Sequence, residues 1–212
     1  MGDSWLQRLV VRGSAPDVAA FTRAAGSGER PRYLTVSRPL RTQKLSFEKL
    51  KGVLPPTIAG RVAPEPEEPW DLVVEQCRLR DGTVEVTYKF QLSEFECEPL
   101  IVAVSKLYPR LCFVLGCVAS FVDQQSSLFI HDGQTWSWDL PSRRKAAIWV
   151  KVPEETNDNA DQVTRALAEA DWAMMDEVVD HWTPKATQAM ATLRRGLRTA
   201  RQRRSRAARR SR

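Results

Sequence analysis

The chain has 212 residues, 42% hydrophobic and 27% charged, with a formal net charge of +6, which fits a soluble globular chain with a proper core. No apolar run approaches the ~18 residues of a membrane-spanning helix, and Met1–Trp5 has neither the basic nor the apolar region of a secretory leader, so no membrane contact and a cytoplasmic location are expected. The four cysteines form no C-x-x-C pair and there are only two histidines, His131 and His181, which argues against a structural metal site, a disulfide scaffold and the usual histidine-based chemistries.

In chain order, Trp5–Arg12 is rich in β-formers and stops at Gly13, a strand. Ser14 is placed to cap a helix with Pro16 tolerated in its first turn, Val18, Phe21 and Ala25 follow at helical spacing, and Gly26 ends it. Residues 29–44 read as basic and irregular, and 45–50 as a short apolar-alternating segment. The proline-rich stretch 52–69 reads as a loop with no regular element.

Two Asp-Gly pairs flanked by alternating residues predict hairpins with two-residue type I′ turns. At Asp81-Gly82 the register would set Leu79 opposite Val84, Cys77 opposite Val86 and Val73 opposite Phe90. One face would then carry Val73, Cys77, Leu79, Val84, Val86, Tyr88 and Phe90, and the other Gln76, Arg78, Glu85, Thr87 and Lys89. That second face holds no aromatic, which disfavours RNA-recognition stacking on the sheet. A Pro99-led helix follows, with Leu100, Val104 and Leu107 at helical spacing and a stop at Pro109. Arg110–Val118 is apolar on both faces, so it is expected to be central or covered on both sides. At Asp132-Gly133 the second hairpin would pair Ile130 with Thr135 and Phe129 with Trp136, putting Phe129, Trp136 and Trp138 on one face. The order strand, helix, strand, strand, helix, strand is the ferredoxin-like order. The expected fold class is α+β: a ferredoxin-like antiparallel sheet with two helices and an additional hairpin, then a C-terminal helical segment and a basic tail.

Residues from about 4 to 140 resemble the YubB-like ferredoxin-fold domain of bacterial plasmids and phages. Trp5–Gly13, Asp17-Val18 with Phe21, Leu45–Leu50 followed by Pro55-Pro56, Tyr88-Lys89-Phe90, the Pro99-led helix and Tyr108–Phe113 carry the resemblance. It implies the fold and a place on a bacterial mobile genetic element, with no activity established for the family.

The C-terminal third opens a helix at Asp158 or Asn159. Val163, Leu167, Ala170, Met174 and Val178 form one apolar stripe; Trp172, Met175, Val179 and Trp182 form a second beside it. The second stripe is the candidate partner interface, or else core packing on the sheet or on another copy. Thr183-Pro184 starts a further helix with the stripe Ala186, Met190, Leu193 and Leu197. Residues 158–200 would thus fold as a helical hairpin, or as two helices joined at a bend. Folded back, Arg195 would lie near Asp171 and Arg206 near Asn159–Asp161, so that the acidic helix could weakly mask the tail.

Ten arginines lie in 194–212 with no acid: Arg194, Arg195, Arg198, Arg201, Arg203, Arg204, Arg206, Arg209, Arg210 and Arg212. The remainder, with 22 basic and 26 acidic residues, has a net charge of −4, so the basic character belongs to the tail. Guanidinium groups bind phosphate bidentately and stack on bases, which suits DNA or RNA. The tail could equally be a solvated extension, or bind carboxylates within the chain or on a partner.

No phosphate-binding glycine loop, dinucleotide fingerprint, zinc-protease or nucleophile-elbow motif occurs. Cys112 and Cys117 point to opposite faces of one strand and read as buried thiols. His131 reads as a surface turn residue and His181 as a helix-end residue near the last carbonyls. Three units are expected: 1–152, the α/β domain; 153–193, an acidic amphipathic helical segment; and 194–212, the tail. The function expected is that of a non-enzymatic accessory protein binding nucleic acid non-specifically through the arm, with no cofactor or metal. The alternative is a protein–protein interaction or assembly module, including a homo-oligomer, that uses residues 158–200 with the arm on an acidic partner surface.

Overall fold

The computed structural model of the protein describes residues 5–26, 33–36, 44–62, 69–92, 97–119, 124–153 and 160–210, with the backbone alone for 33–36, 70–71, 160, 197–198 and 200–210. In chain order come β1 (Trp5–Gly13), α1 (Ala15–Ala25), β2 (Tyr33–Val36), α2 (Phe47–Gly52), α3 (Pro56–Ala59), β3 (Trp70–Arg78), β4 (Val84–Leu92) and α4 (Glu98–Leu107). These are followed by β5 (Cys112–Ala119), β6 (Gln124–His131), β7 (Gln134–Asp139), α5 (Ser142–Trp149), α6 (Ala160–Asp180) and α7 (Thr183–Arg210). The strands form one sheet in the order β2-β3-β4-β1-β5-β6-β7. Six of them pair antiparallel, and β2 joins the edge parallel to β3. The fold class is α+β.

The sheet is covered on both faces, because its central strands are apolar on both. All eight residues of β5 are buried. Side chains of β1 alternate between two cores: Leu9 and Val11 join the one under α1, α2 and α4, while Val10 joins the one under α6 and α7. In the first core, Phe21 meets Tyr88, Tyr108 and Phe113 edge-on, with ring centroids 6.5, 5.6 and 5.4 Å away. In the second, Val10, Val114, Val118 and Phe129 receive Met174, Met175, Val178, Val179 and Trp182.

Local signals explain several elements. The Ser14 hydroxyl accepts from the Asp17 amide at 3.3 Å and caps α1. Ser46 does the same for Lys49, at 3.2 Å, so the apolar segment 45–50 is mostly a helix, with Phe47 and Leu50 buried on one side. The stretches 29–44 and 52–69, expected to be irregular, contain β2 and the single helical turn α3, which starts on Pro55-Pro56.

The two hairpins differ. At the β6–β7 turn both Asp132 (φ 49°) and Gly133 (φ 73°) are left-handed, the type I′ requirement, and Ile130–Thr135 and Phe129–Trp136 pair as expected. At the β3–β4 turn only Gly82 is left-handed (φ 78°). The Gly82 amide donates to the Leu79 carbonyl and the Leu79 amide to the Thr83 carbonyl, both at 2.8 Å. This is a three-residue loop with glycine in the bulge position. Asp81 keeps a right-handed backbone while its carboxylate accepts from the Thr83 amide at 2.9 Å. The extra loop residue shifts the register by one: Val74 faces Tyr88 and Gln76 faces Val86. A one-residue shift turns a strand over. Leu72 and Val74 join the first core and Gln76, expected on the polar face, is buried on their side, whereas Val73 and Cys77, expected on the core face, turn to the other.

α6 and the start of α7 close the second face of the sheet, and the boundary expected after residue 193 falls inside α7. The α6–α7 helical hairpin is not formed. α7 crosses the sheet toward the β3–β4 turn, where Arg194 Nη2 lies 3.8 Å from Asp81 Oδ1. The expected proximity of Arg195 to Asp171 is therefore not realised, and Asp158, Asn159 and the side chain of Arg206 lie outside the description.

Candidate nucleic-acid interface

The first half of α7 is fixed to the body from three directions. Ala186 and Met190 are buried, and Leu193, partly buried, is the last described residue of α7 in the second core. Lys185 Nζ sits 3.6 Å from the centroid of Trp136 and 5.2 Å from those of Phe129 and Trp182. The negative ring faces hold the ammonium, although burial lowers its pKa. Arg12 ties α7 to the hairpin: Nη1 donates to Thr187 Oγ1 at 3.0 Å, Nη2 to Asp81 Oδ2 at 2.9 Å and Nε to Thr83 Oγ1 at 3.3 Å. Burial works to raise the pKa of Asp81, but the Thr83 hydrogen bonds and the Arg12 guanidinium outweigh it and hold the carboxyl below its usual range.

Beyond Leu193 the helix continues to Arg210 and carries nine of the ten candidate arginines, from Arg194 to Arg210. Arg194 is shared with Asp81 and is thus a latch on the β3–β4 turn. Arg195 donates to Thr192 Oγ1 at 3.4 Å on the same helix. Arg198, Arg201, Arg203, Arg204, Arg206, Arg209 and Arg210 lie on the helical backbone, and Arg212 is outside the described residues. The tail is therefore a helical rod rather than an irregular extension. No acid occurs from Thr183 onward.

The candidate interface residues Met175, Val179 and Trp182 are buried against the chain's own sheet, and Trp172 is half-buried beside it. They serve as core, because β1, β5 and β6 present an apolar second face that needs cover. Trp182 Nε1 donates to Ser127 Oγ at 2.8 Å, and Ser127 Oγ donates to the Val178 carbonyl at 2.7 Å. His181 stacks on Trp138 with centroids 4.1 Å apart. Desolvation, reinforced by Arg144, lowers its pKa. His131 is half-buried, with Nδ1 3.0 Å from the Leu111 carbonyl oxygen.

Between the sheet and α6–α7 lies a charged cleft of about 280 Å³. Sequence reasoning missed it, although its signal was visible: Arg8 and Arg12 alternate with Val10 in an apolar strand. Each of its three cations has an acid: Arg8 pairs with Asp176 at 2.6 Å, Arg12 with Asp81 at 2.9 Å and Lys89 with Glu75 at 2.8 Å. Arg8 and Lys89 also lie over the Trp172 ring, at 5.5 and 5.6 Å. Burial raises the pKa of Glu85 against the opposing charge of Arg12, and burial with the neighbouring Asp176 raises that of Asp180. A cleft whose cations are already paired has little to offer a phosphate, and among the described residues no cluster of three or more His, Cys, Asp or Glu could hold a metal. No described helix is long and apolar enough to cross a membrane. Comparison with family models, curated proteins and solved structures found no match.

Proposed function

We propose that the protein binds nucleic acid through its phosphates, using the distal half of α7, with the sheet and its helices as a scaffold that performs no chemistry. The observation that carries this reading is an acid-free helix of 28 residues whose last described core residue is Leu193 and which continues with arginine at nine positions. A helix held by its root to a folded body sets the arginine positions along one backbone before any contact is made. The four strands β3-β4-β1-β5, with α1 and α4 on one face, fit a ferredoxin-like arrangement extended by β6 and β7. The place on a bacterial mobile element, and the bacterial cytoplasm with it, rests on the YubB-like resemblance.

The test is the salt dependence of binding by the full chain and by R201Q/R203Q/R206Q/R210Q, which leaves the core untouched. Each phosphate neutralised contributes about −0.9 to the slope of log K against log salt on duplex DNA. Losing four contacts therefore flattens the slope by about 3.6. Absence of salt-dependent binding, or an unchanged slope in the quadruple variant, overturns the reading.

A second reading, an assembly module, is favoured by α6: its acids Asp161 and Glu169 are exposed, and α7 of the same chain does not lie along it. Salt-sensitive self-association that disappears in the quadruple variant, without nucleic-acid binding, would support it.

A further inference from the structure

We infer that the arginine half of α7 is shaped for the major groove of a B-form DNA duplex. This rests on the nucleic-acid reading above and names the nucleic acid it takes.

The first observation is shape. Residues 194–210 continue a helix already anchored to the body at Lys185 and at Arg194. At 1.5 Å per residue they make a rod about 25 Å long and, with side chains, about 10–12 Å across. The major groove of B-DNA is about 12 Å wide and 8.5 Å deep. The rod thus fits the groove and follows it for about 7 base pairs at 3.4 Å each.

The second observation is how arginine is distributed around the helix. At about 100° per residue, Arg194 and Arg201 mark one edge of a band, and Arg203 and Arg210 mark the other, about 200° away, with four more arginines between. The remaining sector holds Gly196, Leu197, Ala200, Ala207 and Ala208, with Arg204 its single cation. A helix resting on one phosphate strand needs only a narrow basic stripe. A helix sunk in a groove has a row of phosphates along each side, so its cations belong on the inserted face and both flanks, and its back, where Arg204 is the one cation, needs none. The wide band matches the second arrangement.

The third observation concerns composition. No aromatic residue occurs from Thr183 onward, so the arm lacks the rings on which single-stranded bases stack. The major groove of A-form RNA is too deep and narrow to be read by side chains, which leaves B-form DNA as the duplex that admits the rod.

The experiment uses the full chain and three probes of about 20 residues or base pairs: a DNA duplex, one of its strands, and an RNA duplex of the same sequence. Fluorescence anisotropy at fixed salt gives the three affinities. A second protein, Ala200→Pro, retains every charge but interrupts the helix. Its site lies beyond Leu193, the last described core residue, and a thermal melt of the body verifies that the fold persists. The DNA duplex is expected to bind at least about tenfold more tightly than either other probe. In A200P that preference should fall to about twofold, while salt-sensitive binding persists. Equal binding to the three probes, or a duplex preference that survives A200P, overturns the groove inference and leaves phosphate binding standing. Binding to none of the three overturns the nucleic-acid reading itself.

Discussion

Glu85 and Asp81 lie on one hairpin and respond to pH in opposite directions. Burial raises the folded pKa of Glu85, with Asp180 adding to it and Arg12 and Arg8 opposing. A carboxyl raised on folding contributes its stability below its unfolded pKa and loses it as pH rises through the folded value. At neutral pH the Glu85 charge is therefore a cost, and Glu85→Gln should raise the melting temperature at pH 7 and leave it unchanged below about pH 4. Asp81 is held low by Thr83 and Arg12 against its burial. Its contribution is present at neutral pH and disappears as pH falls through the folded pKa, so Asp81→Asn should destabilise at pH 7 and converge on the parent in acid. Melting curves between pH 3 and pH 7 check both signs, and equal effects at both ends of that range would contradict the burial account. Ser127 poses a simpler test. Ser127→Ala removes the acceptor of the Trp182 indole and the donor to the Val178 carbonyl. Leaving buried polar groups unpaired costs about 1–3 kcal/mol each, which denaturant unfolding would resolve.

At the scale of elements, α6 lies tight against β5 at Gly116. A β-carbon there would come within 2.7 Å of Met175 Sδ and 2.8 Å of Val179 Cγ2. The thioether can move, but the branched valine on a helix cannot, so Gly116→Ala should cost about 1–3 kcal/mol; an unchanged unfolding midpoint would show that α6 sits further from β5. The same region shows what pattern alone can and cannot reveal. The β6–β7 hairpin was legible because both of its turn residues take the conformation that Asp-Gly favours. The β3–β4 hairpin carries the same dipeptide, yet the Asp81 carboxylate is engaged by Thr83 and Arg12, so the loop takes a third residue and β3 turns over. The width of the α6 stripe announced burial on more than one neighbour, but periodicity carries no address, so the sheet of the same chain could not be told from a partner. α5 was invisible because it has no fully buried side chain and only Ile148 and Trp149 pack on the second core. The arginine positions were legible outright; their helical presentation was not, because their composition suits a solvated tail equally well.

For the whole molecule, the question is whether the sheet with α1, α2 and α4 can stand without α6 and α7. Its second face would then expose Val10, Cys112, Val114, Val118 and Phe129, all less than 9% accessible in the intact chain. Each large apolar side chain returned to water forfeits about 1.5–3 kcal/mol, and a whole domain is stable by only about 5–15 kcal/mol. Four such side chains on the sheet alone, before the matching loss from α6 is counted, forfeit about 6–12 kcal/mol, the same size as that margin. A chain ending at Pro153 should therefore fail to melt cooperatively and should self-associate. A chain ending at Arg195, which retains Leu193 and the Arg194–Asp81 contact, should melt within a few degrees of the full protein. The thiols give an independent reading. Burial pushes Cys112 up to about 12 and raises Cys97 and Cys117 as well, so in the full chain only the exposed Cys77 should react with a thiol reagent under native conditions. Its own raised pKa, set first by burial and then by Glu85, makes that reaction slow at pH 7 and faster as pH rises. In the chain ending at Pro153, Cys112 should react as well. Cooperative melting of that chain with Cys112 still protected would show that the sheet with α1 to α5 is sufficient, and that α6 and α7 form a separable unit.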